Sequence, residues 1–289
     1  MHKVRKAVTL LELVIVVGIF AVLIALTAGA VQKVREAAAR IGEKNQMRQV
    51  ILAIHQCAAR DEGRLQHQDT RPDQPDCEQT SLAQAALMMG YQRYLGYVDE
   101  NGNGATRYVR EFFFEGDPSL DLYPDQRRIG GTCVAVNFRA FDGGTTMHAG
   151  FSDGLSNTIG LSERYTATHA RNNYYQYTNI LRHTPTDGIL RESWYAGPRF
   201  AAFADAGMHD VHPVTTGTPA VTRSSQANVT FQVKPLFMQS DGRMLQSTRV
   251  NGLTVAMMDG SVRTIAPQVS EEAFWGSVTP AGGETASLD

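Results

Sequence analysis

The sequence predicts an α+β protein, in which one long N-terminal helix packs on an antiparallel β-rich globular head. Three observations carry this. Residues 13–31 form a run of 19 without a charge, mostly Val, Ile, Leu and Ala. Residues 32–60 contain no proline and repeat their apolar positions at helical spacing. Beyond residue 62 come short stretches rich in β-branched and aromatic residues, bounded by Gly, Pro, Asn and Asp. The helix is therefore apolar all round in its first half and amphipathic in its second.

The bulk properties set limits. A chain of 289 residues, 43% apolar and 19% charged, can bury a real core and is not wholly disordered. A formal charge of −2 gives no basic field with which to hold nucleic acid. Cys57, Cys77 and Cys133 are too few for a disulfide-built scaffold and lack metal-finger spacing.

The N-terminus carries Lys3, Arg5 and Lys6 and no acid before the apolar run. Nineteen helical residues at about 1.5 Å each span close to 30 Å, the thickness of a bilayer's hydrocarbon core. The basic cluster favours a cytoplasmic N-terminus, with the rest of the chain on the far side. A cleaved secretory signal fits less well, because its apolar region is usually about 7–15 residues. Glu12 stands out, since a carboxylate at the edge of an apolar helix is costly unless paired or held at the interface. Two readings follow: an interfacial carboxylate, or an intermolecular ion pair with a free N-terminal amine, which requires processing just upstream.

Lys6-Ala7-Val8-Thr9-Leu10-Leu11-Glu12-Leu13 resembles the type IV prepilin signal, usually K/R-G-F-T-L-x-E-L before an apolar stretch. The resemblance implies that a prepilin peptidase cuts between Ala7 and Val8 and that the new amine of Val8 is methylated. Glu12 would then be the fifth mature residue and the assembly ion pair. Ala7 stands where Gly is usual and Val8 where Phe is usual, which implies slower processing.

The helix is expected to continue to about Arg60. Val34, Ala38 and Ile41, then Met47, Val50, Ile51 and Ile54, recur at helical spacing, and Glu36–Arg40 is an i,i+4 pair in the favourable orientation. Gly42 costs about 1 kcal/mol relative to Ala and is a place for a bend. The first part reads as a stalk and the second as the face that packs on a sheet. Asp61-Glu62-Gly63 ends the helix.

Further passages narrow the resemblance. Val31-Gln32-Lys33-Val34-Arg35-Glu36-Ala37-Ala38 is similar to A-V-Q-K-A-R-E-A-A, and the stretch from Lys44 to His55 is similar to K-N-N-L-K-Q-I-G-L-A-L-H. Phe151-Ser152-Asp153-Gly154-Leu155-Ser156-Asn157-Thr158-Ile159 resembles I-T-D-G-T-S-N-T-I, with Glu163-Arg164 following. Val255-Ala256-Met257-Met258-Asp259-Gly260-Ser261-Val262-Arg263 resembles V-x-F-x-D-G-S-V-R, and Thr279-Pro280-Ala281-Gly282-Gly283-Glu284 resembles T-R-A-G-G-E. These patterns belong to a bacterial family of pseudopilin-like proteins with a prepilin-type processing-associated H-x9-D-G domain. The histidine ten residues before the D-G aspartate is Arg249 here. The family's frequent cysteines fall on Glu43 and Phe114, so a family-type disulfide is not expected. His55 is a family position whose plainer reading is a capping or packing residue near a helix end.

In the head, strands are expected over 107–114, 132–140, 157–163, 228–234 and 253–258. Asp259-Gly260 between 253–258 and 262–266 signals a two-residue hairpin. Ser270 with Glu271 and Glu272 caps a short C-terminal helix, and 214–226 reads as a long surface loop.

Asp99, Asn101 and Asn103 with Gly104 resemble the first half of an EF-hand calcium loop, but position 12 is Arg110, with Glu111 one late. Calcium is the one cofactor this allows, against an ordinary Asn-Gly loop. His209 and His212, near Asp205, fall short of a zinc ligand set. No P-loop, dinucleotide fingerprint or G-x-S-x-G elbow is present; Ser156 and Asn157 suit turn hydrogen bonds. The Tyr-rich stretch 172–177 suits a binding surface or strand-edge packing. Cys57 and Cys77 could bridge in an oxidising exterior, and Cys133 reads as a buried strand residue.

The expected organisation is a leader over 1–7, a transmembrane and assembly half-helix over 8–31, an amphipathic half-helix over 32–62 and a head over 63–289. The expected function is a non-enzymatic, structural pilin- or pseudopilin-like subunit. It would be anchored once in the bacterial inner membrane and assembled with like subunits into a pilus or type II secretion-like pseudopilus. The alternative is an unpolymerised, tethered binding module whose head captures an exported protein or glycan.

Overall fold

The computed structural model describes residues 9–65, 81–91, 109–122, 131–141, 145–169, 176–180, 196–200, 202–204, 230–241 and 244–281. Two compact units divide the chain, Met1–Glu43 and Lys44–Asp289.

Helix α1 (Leu10–Arg60) runs 51 residues without interruption. Its first tract is exposed at every described apolar position, from Leu10 at 80% to Val34 at 67%. In the second unit the same helix buries Met47, Val50, Ile51, Ile54 and Ala58, the i, i+3, i+4, i+7 face that the spacing predicts. The helix ends where expected. Glu62 takes a left-handed conformation (φ 52) and the Gly63 N–H reaches back to the Ala58 carbonyl at 2.7 Å, a Schellman-type cap.

Around this face come α2 (Ser81–Met88), a 3-10 turn (Arg110–Phe112) and α3 (Ser119–Leu122). The strands are β1 (Val134–Asn137), β2 (Ile159–Glu163), β3 (Ala167–His169), β4 (Gln176–Ile180), β5 (Ala196–Phe200), β6 (Ala202–Phe203), β7 (Gln232–Val233), β8 (Gln246–Ser247), β9 (Leu253–Met257) and β10 (Val262–Ile265), before helix α4 (Glu271–Val278). The main sheet has order β10-β9-β2-β1-β6, antiparallel from β10 to β1. Among the described residues three pairs are parallel, β1–β6, β4–β5 and β7–β8, so the head is not antiparallel throughout. Such pairing needs a long crossover, and hydrophobic spacing carries no signal for it.

The main sheet is buried on both faces. Val134, Val136, Leu161 and Ala256 join the α1 face, α2 and Phe112–Phe114 in one cluster; Ala135, Ile159, Val255 and Met257 join Phe274 and Val278 of α4 in another. Gly160 lets helix and sheet close up: a Cβ there would lie 2.6 Å from Met258 Sδ and 3.3 Å from Ile51 Cδ1.

Three local expectations are corrected. The described part of 107–114 holds a 3-10 turn (Arg110–Phe112) and not a strand: the Phe112 N–H bonds the Val109 carbonyl at 3.1 Å and the Phe113 N–H bonds the Arg110 carbonyl at 3.2 Å, so these donors are spent within the turn and not on a ladder. The β9–β10 loop has three residues, Met258, Asp259 and Gly260, not two. Gly260 N–H bonds the Met257 carbonyl at 3.0 Å, Met257 N–H bonds the Ser261 carbonyl at 2.8 Å, and Gly260 takes the left-handed position (φ 86) of a bulged type I turn. Within 228–234 the described strand is only Gln232–Val233, and it stops at Lys234, whose φ is 38. The expected C-terminal helix is present, with Ser270 Oγ accepting from the Ala273 N–H at 3.1 Å.

Candidate functional site

The N-terminal edge of α1 comes first, because the sequence places chemistry there. Ala7 and Val8 lie outside the described residues. Thr9 opens the helix, and its N–H and hydroxyl both donate to Glu12 Oε2 at 2.9 Å. The Glu12 N–H faces Thr9 Oγ1 at 3.3 Å in return. This reciprocal pairing is a capping box, which satisfies orphan donors at the helix start from within the chain. The sequence reasoning missed this role of Glu12, although Thr followed three residues later by Glu before an apolar run is its signal. Farther in, Thr27 donates to the carbonyls of Leu23 and Ile24 at 2.9 and 3.0 Å, so its hydroxyl asks nothing of the surroundings.

A second place lies where α1 meets the β9–β10 hairpin. Half-buried His55 sets Nε2 2.9 Å from the Met258 carbonyl oxygen. A carbonyl only accepts, so Nε2 carries the proton and Nδ1 is the acceptor. Burial pulls the His55 pKa below its ordinary value, against the smaller opposing effects of this bond and of the Asp259 charge. Gly260 closes the contact, since a Cβ there would sit 3.5 Å from His55 Cε1 and 3.6 Å from Leu52 Cδ2. The Asp153-Gly154 turn joins from the other side: the Asp259 N–H donates to Leu155 O at 3.0 Å, the Met258 N–H to Thr158 O at 2.9 Å, and the Asp153 N–H to Pro280 O at 3.4 Å. Asn157 holds that turn through its amide, which donates to the Asp153 carbonyl at 2.9 Å. The passages around His55, Asp153, Asp259 and Pro280 are thus brought together, although the chain separates them widely.

A third group is buried and was not foreseen. Asp117 Oδ2 accepts from the Thr166 N–H at 2.7 Å and from Cys133 Sγ at 3.3 Å, while Oδ1 accepts from the Ser119 N–H at 2.8 Å. Cys133 Sγ also lies 3.1 Å from Thr166 Oγ1. Burial raises the pKa of both Asp117 and Cys133. Glu163, also buried, accepts from Thr254 N–H at 2.7 Å and Thr248 Oγ1 at 2.8 Å. These carboxylates hold loops to strand ends. Three segments far apart in sequence build the Asp117 group, so no local motif announces it.

The remaining sequence expectations fall as follows. Asp99, Asn101, Asn103, Asp205, His209, His212, Cys77 and the loop 214–226 lie outside the described residues, as does most of 172–177. Among the described residues, no group of three or more His, Cys, Asp or Glu could hold a metal ion. Cys57 and Cys133 are buried free thiols, and burial pushes the Cys57 thiol up to about 11, which suppresses its thiolate. Ser156 is exposed on the turn that Asn157 holds. Arg249 is half-buried, and its carbonyl accepts from Ser247 Oγ at 2.7 Å.

Compared with known proteins, the chain matches no family model, no curated sequence and no solved structure. The geometry therefore defines, by itself, an α+β protein with one N-terminal helix long and apolar enough to cross a membrane.

Proposed function

We propose that this chain is a membrane-anchored, pilin- or pseudopilin-like structural subunit without enzymatic activity. The observation that carries the reading is the contrast along α1. Its apolar tract is wholly exposed, while its continuation is seated in a well-packed core. An apolar surface of this extent requires lipid or other helices. Lys3, Arg5 and Lys6 favour a cytoplasmic N-terminus, hence a single pass through a bacterial inner membrane with the head outside. The prepilin-like signal supplies the rest of the proposal. Prepilin peptidase frees and methylates Val8, and like subunits then add through the half-helix to a pilus or type II secretion-like pseudopilus. Glu12 meets a neighbour's new amine there, and such a pair specifies register more than it stabilises.

The test is the mass of the N-terminal peptide of protein purified from its native membrane. A chain that begins at Val8 with one added methyl is the expected result. A chain that still begins at Met1, in a host with active prepilin peptidase, overturns the processing step.

One observation favours the second reading, a tethered binding module. Leu236 and Met238 are 70% and 65% exposed beside buried Phe237, on a loop stitched by Gln232, which bonds Gln239 and Asp241, and by Gln246. Rigidly held apolar side chains of this kind suit a docking point. Capture of an exported partner that survives Glu12→Ala would favour it over assembly.

A further inference from the structure

We propose that the loop over residues 234–239 is a site for an anionic lipid surface, into which Leu236 and Met238 dip while Lys234 meets the headgroup phosphates. The proposal deepens the second reading above: it rests on this loop being a docking point and names what docks there.

Strand β7 stops at Lys234, which takes a left-handed conformation (φ 38) that residues other than glycine rarely adopt. Such a conformation persists where the surroundings over-determine it. Here Ser247 does so: its carbonyl and hydroxyl oxygens accept from the Lys234 N–H at 3.1 and 3.2 Å, and its hydroxyl donates to the Arg249 carbonyl at 2.7 Å. Tyr165 Oη donates to the Pro235 carbonyl at 2.9 Å, and the Gln239 N–H closes the turn on the Leu236 carbonyl at 2.8 Å. Phe237 is buried beneath, so Leu236 and Met238 on either side of it are fixed outward. Val233 and Val250, on the two segments that Ser247 joins, are exposed as well.

Three features select lipid. Side chains as open as Leu236 and Met238 project and do not line a groove, which suits a soft medium that closes around them. The charge is lopsided. Residues 230–250 hold Lys234, Arg243 and Arg249 against one acid, the buried Asp241, whereas the whole chain has 27 bases and 29 acids. A base beside apolar side chains is drawn to anionic headgroups, and the Lys234 stem lets its ammonium reach them while its neighbours enter the acyl boundary. Finally, a chain with a helix long and apolar enough to cross a membrane keeps lipid at hand, which raises the effective concentration.

The experiment is flotation of the full chain, held by its helix in nanodiscs of phosphatidylcholine, with added vesicles. One set of vesicles is phosphatidylcholine alone and the other is equal parts phosphatidylcholine and phosphatidylglycerol; empty nanodiscs are the blank. Flotation with the anionic vesicles is expected to exceed that with the neutral ones at least about tenfold, and to fade in molar salt. Two variants are expected to lower it at least about threefold each while urea unfolding is unchanged: Leu236→Ser with Met238→Ser, and Lys234→Asn, since asparagine tolerates the left-handed conformation without the charge. Equal flotation with both vesicles overturns the proposal. So does anionic flotation that these variants leave intact, because it then comes from elsewhere, such as the basic N-terminus. Polyglutamate bound through Leu236 and Met238 without vesicle flotation overturns the lipid assignment and leaves a docking point for an acidic protein. Binding of neither removes the docking point as well.

Discussion

Ile24 and Ile51 sit on the same unbroken helix, one 64% exposed and the other fully buried. Both belong to stretches that form helix readily, so local propensity does not separate them. Their neighbours do. Around Ile24 the side chains are apolar but for Thr27, whose hydroxyl bonds its own helix, and no face is distinguished, whereas around Ile51 the polar residues Arg48, Gln49 and Gln56 leave one apolar stripe. A uniform apolar surface specifies a kind of surroundings and no particular orientation within it. A striped one specifies a single partner in a single orientation. One helix thus carries two kinds of instruction, joined near Glu43.

The largest test of that division is a buried charge. Ile51→Asp is expected to unfold the head, at a cost above about 4 kcal/mol, whereas Ile24→Asp leaves head melting unchanged and impairs membrane insertion. Urea denaturation and carbonate extraction read the two effects. If Ile24→Asp also unfolds the head, the halves are not independent. Next comes truncation: Ile51→Ala should destabilise the head by about 2–5 kcal/mol through the cavity it leaves, and Ile24→Ala by nearly nothing.

A smaller effect tests the seat of the helix at the hairpin. Removing the bond from His55 to Met258 with His55→Phe should cost about 1–2 kcal/mol, because the buried carbonyl loses its donor. The pH dependence has a definite sign. The folded pKa lies below the ordinary 6.5, so the unfolded chain binds more protons and this contribution falls as pH drops from about 6.5 towards the folded value. The difference in unfolding free energy between the wild type and His55→Gln, measured across that window, should narrow on acidification. A constant difference would remove His55 protonation from the account. The smallest effect lies at the other end. Thr9→Val should fray the first turn, at about 1 kcal/mol, visible as faster amide exchange there in micelles, while head stability stays fixed.

What the sequence made legible was the local and the periodic. The apolar run, the stripe from Met47 to Ile54, the end at Gly63 and the Ser270 cap depend on residues within a turn or two of each other. The Asp259-Gly260 signal found the hairpin but miscounted its loop, because a bulged turn also places Gly at the left-handed position. The Thr9–Glu12 box was equally local and was overlooked beside the more conspicuous ion-pair reading. Long-range features were hidden for a physical reason. The parallel β1–β6 pair and the junction of Asp117 with Cys133 and Thr166 depend on chain crossings that no hydrophobic period encodes. Three consecutive phenylalanines at 112–114 misled in a related way, since high strand propensity cannot say that the backbone turns over Arg110–Phe112.

The seat of α1 in the head has a mechanical consequence. Met47, Val50, Ile51, Ile54 and Ala58 lie along about 16 Å of one helix face and join the sheet residues in one core. A load directed along that stretch meets all five side chains at once, so they must slip together. The Glu62–Gly63 cap stands at the end of the track as a stop. The attachment would yield to steady pulling abruptly and late, behaving as a bolt and not as a zipper.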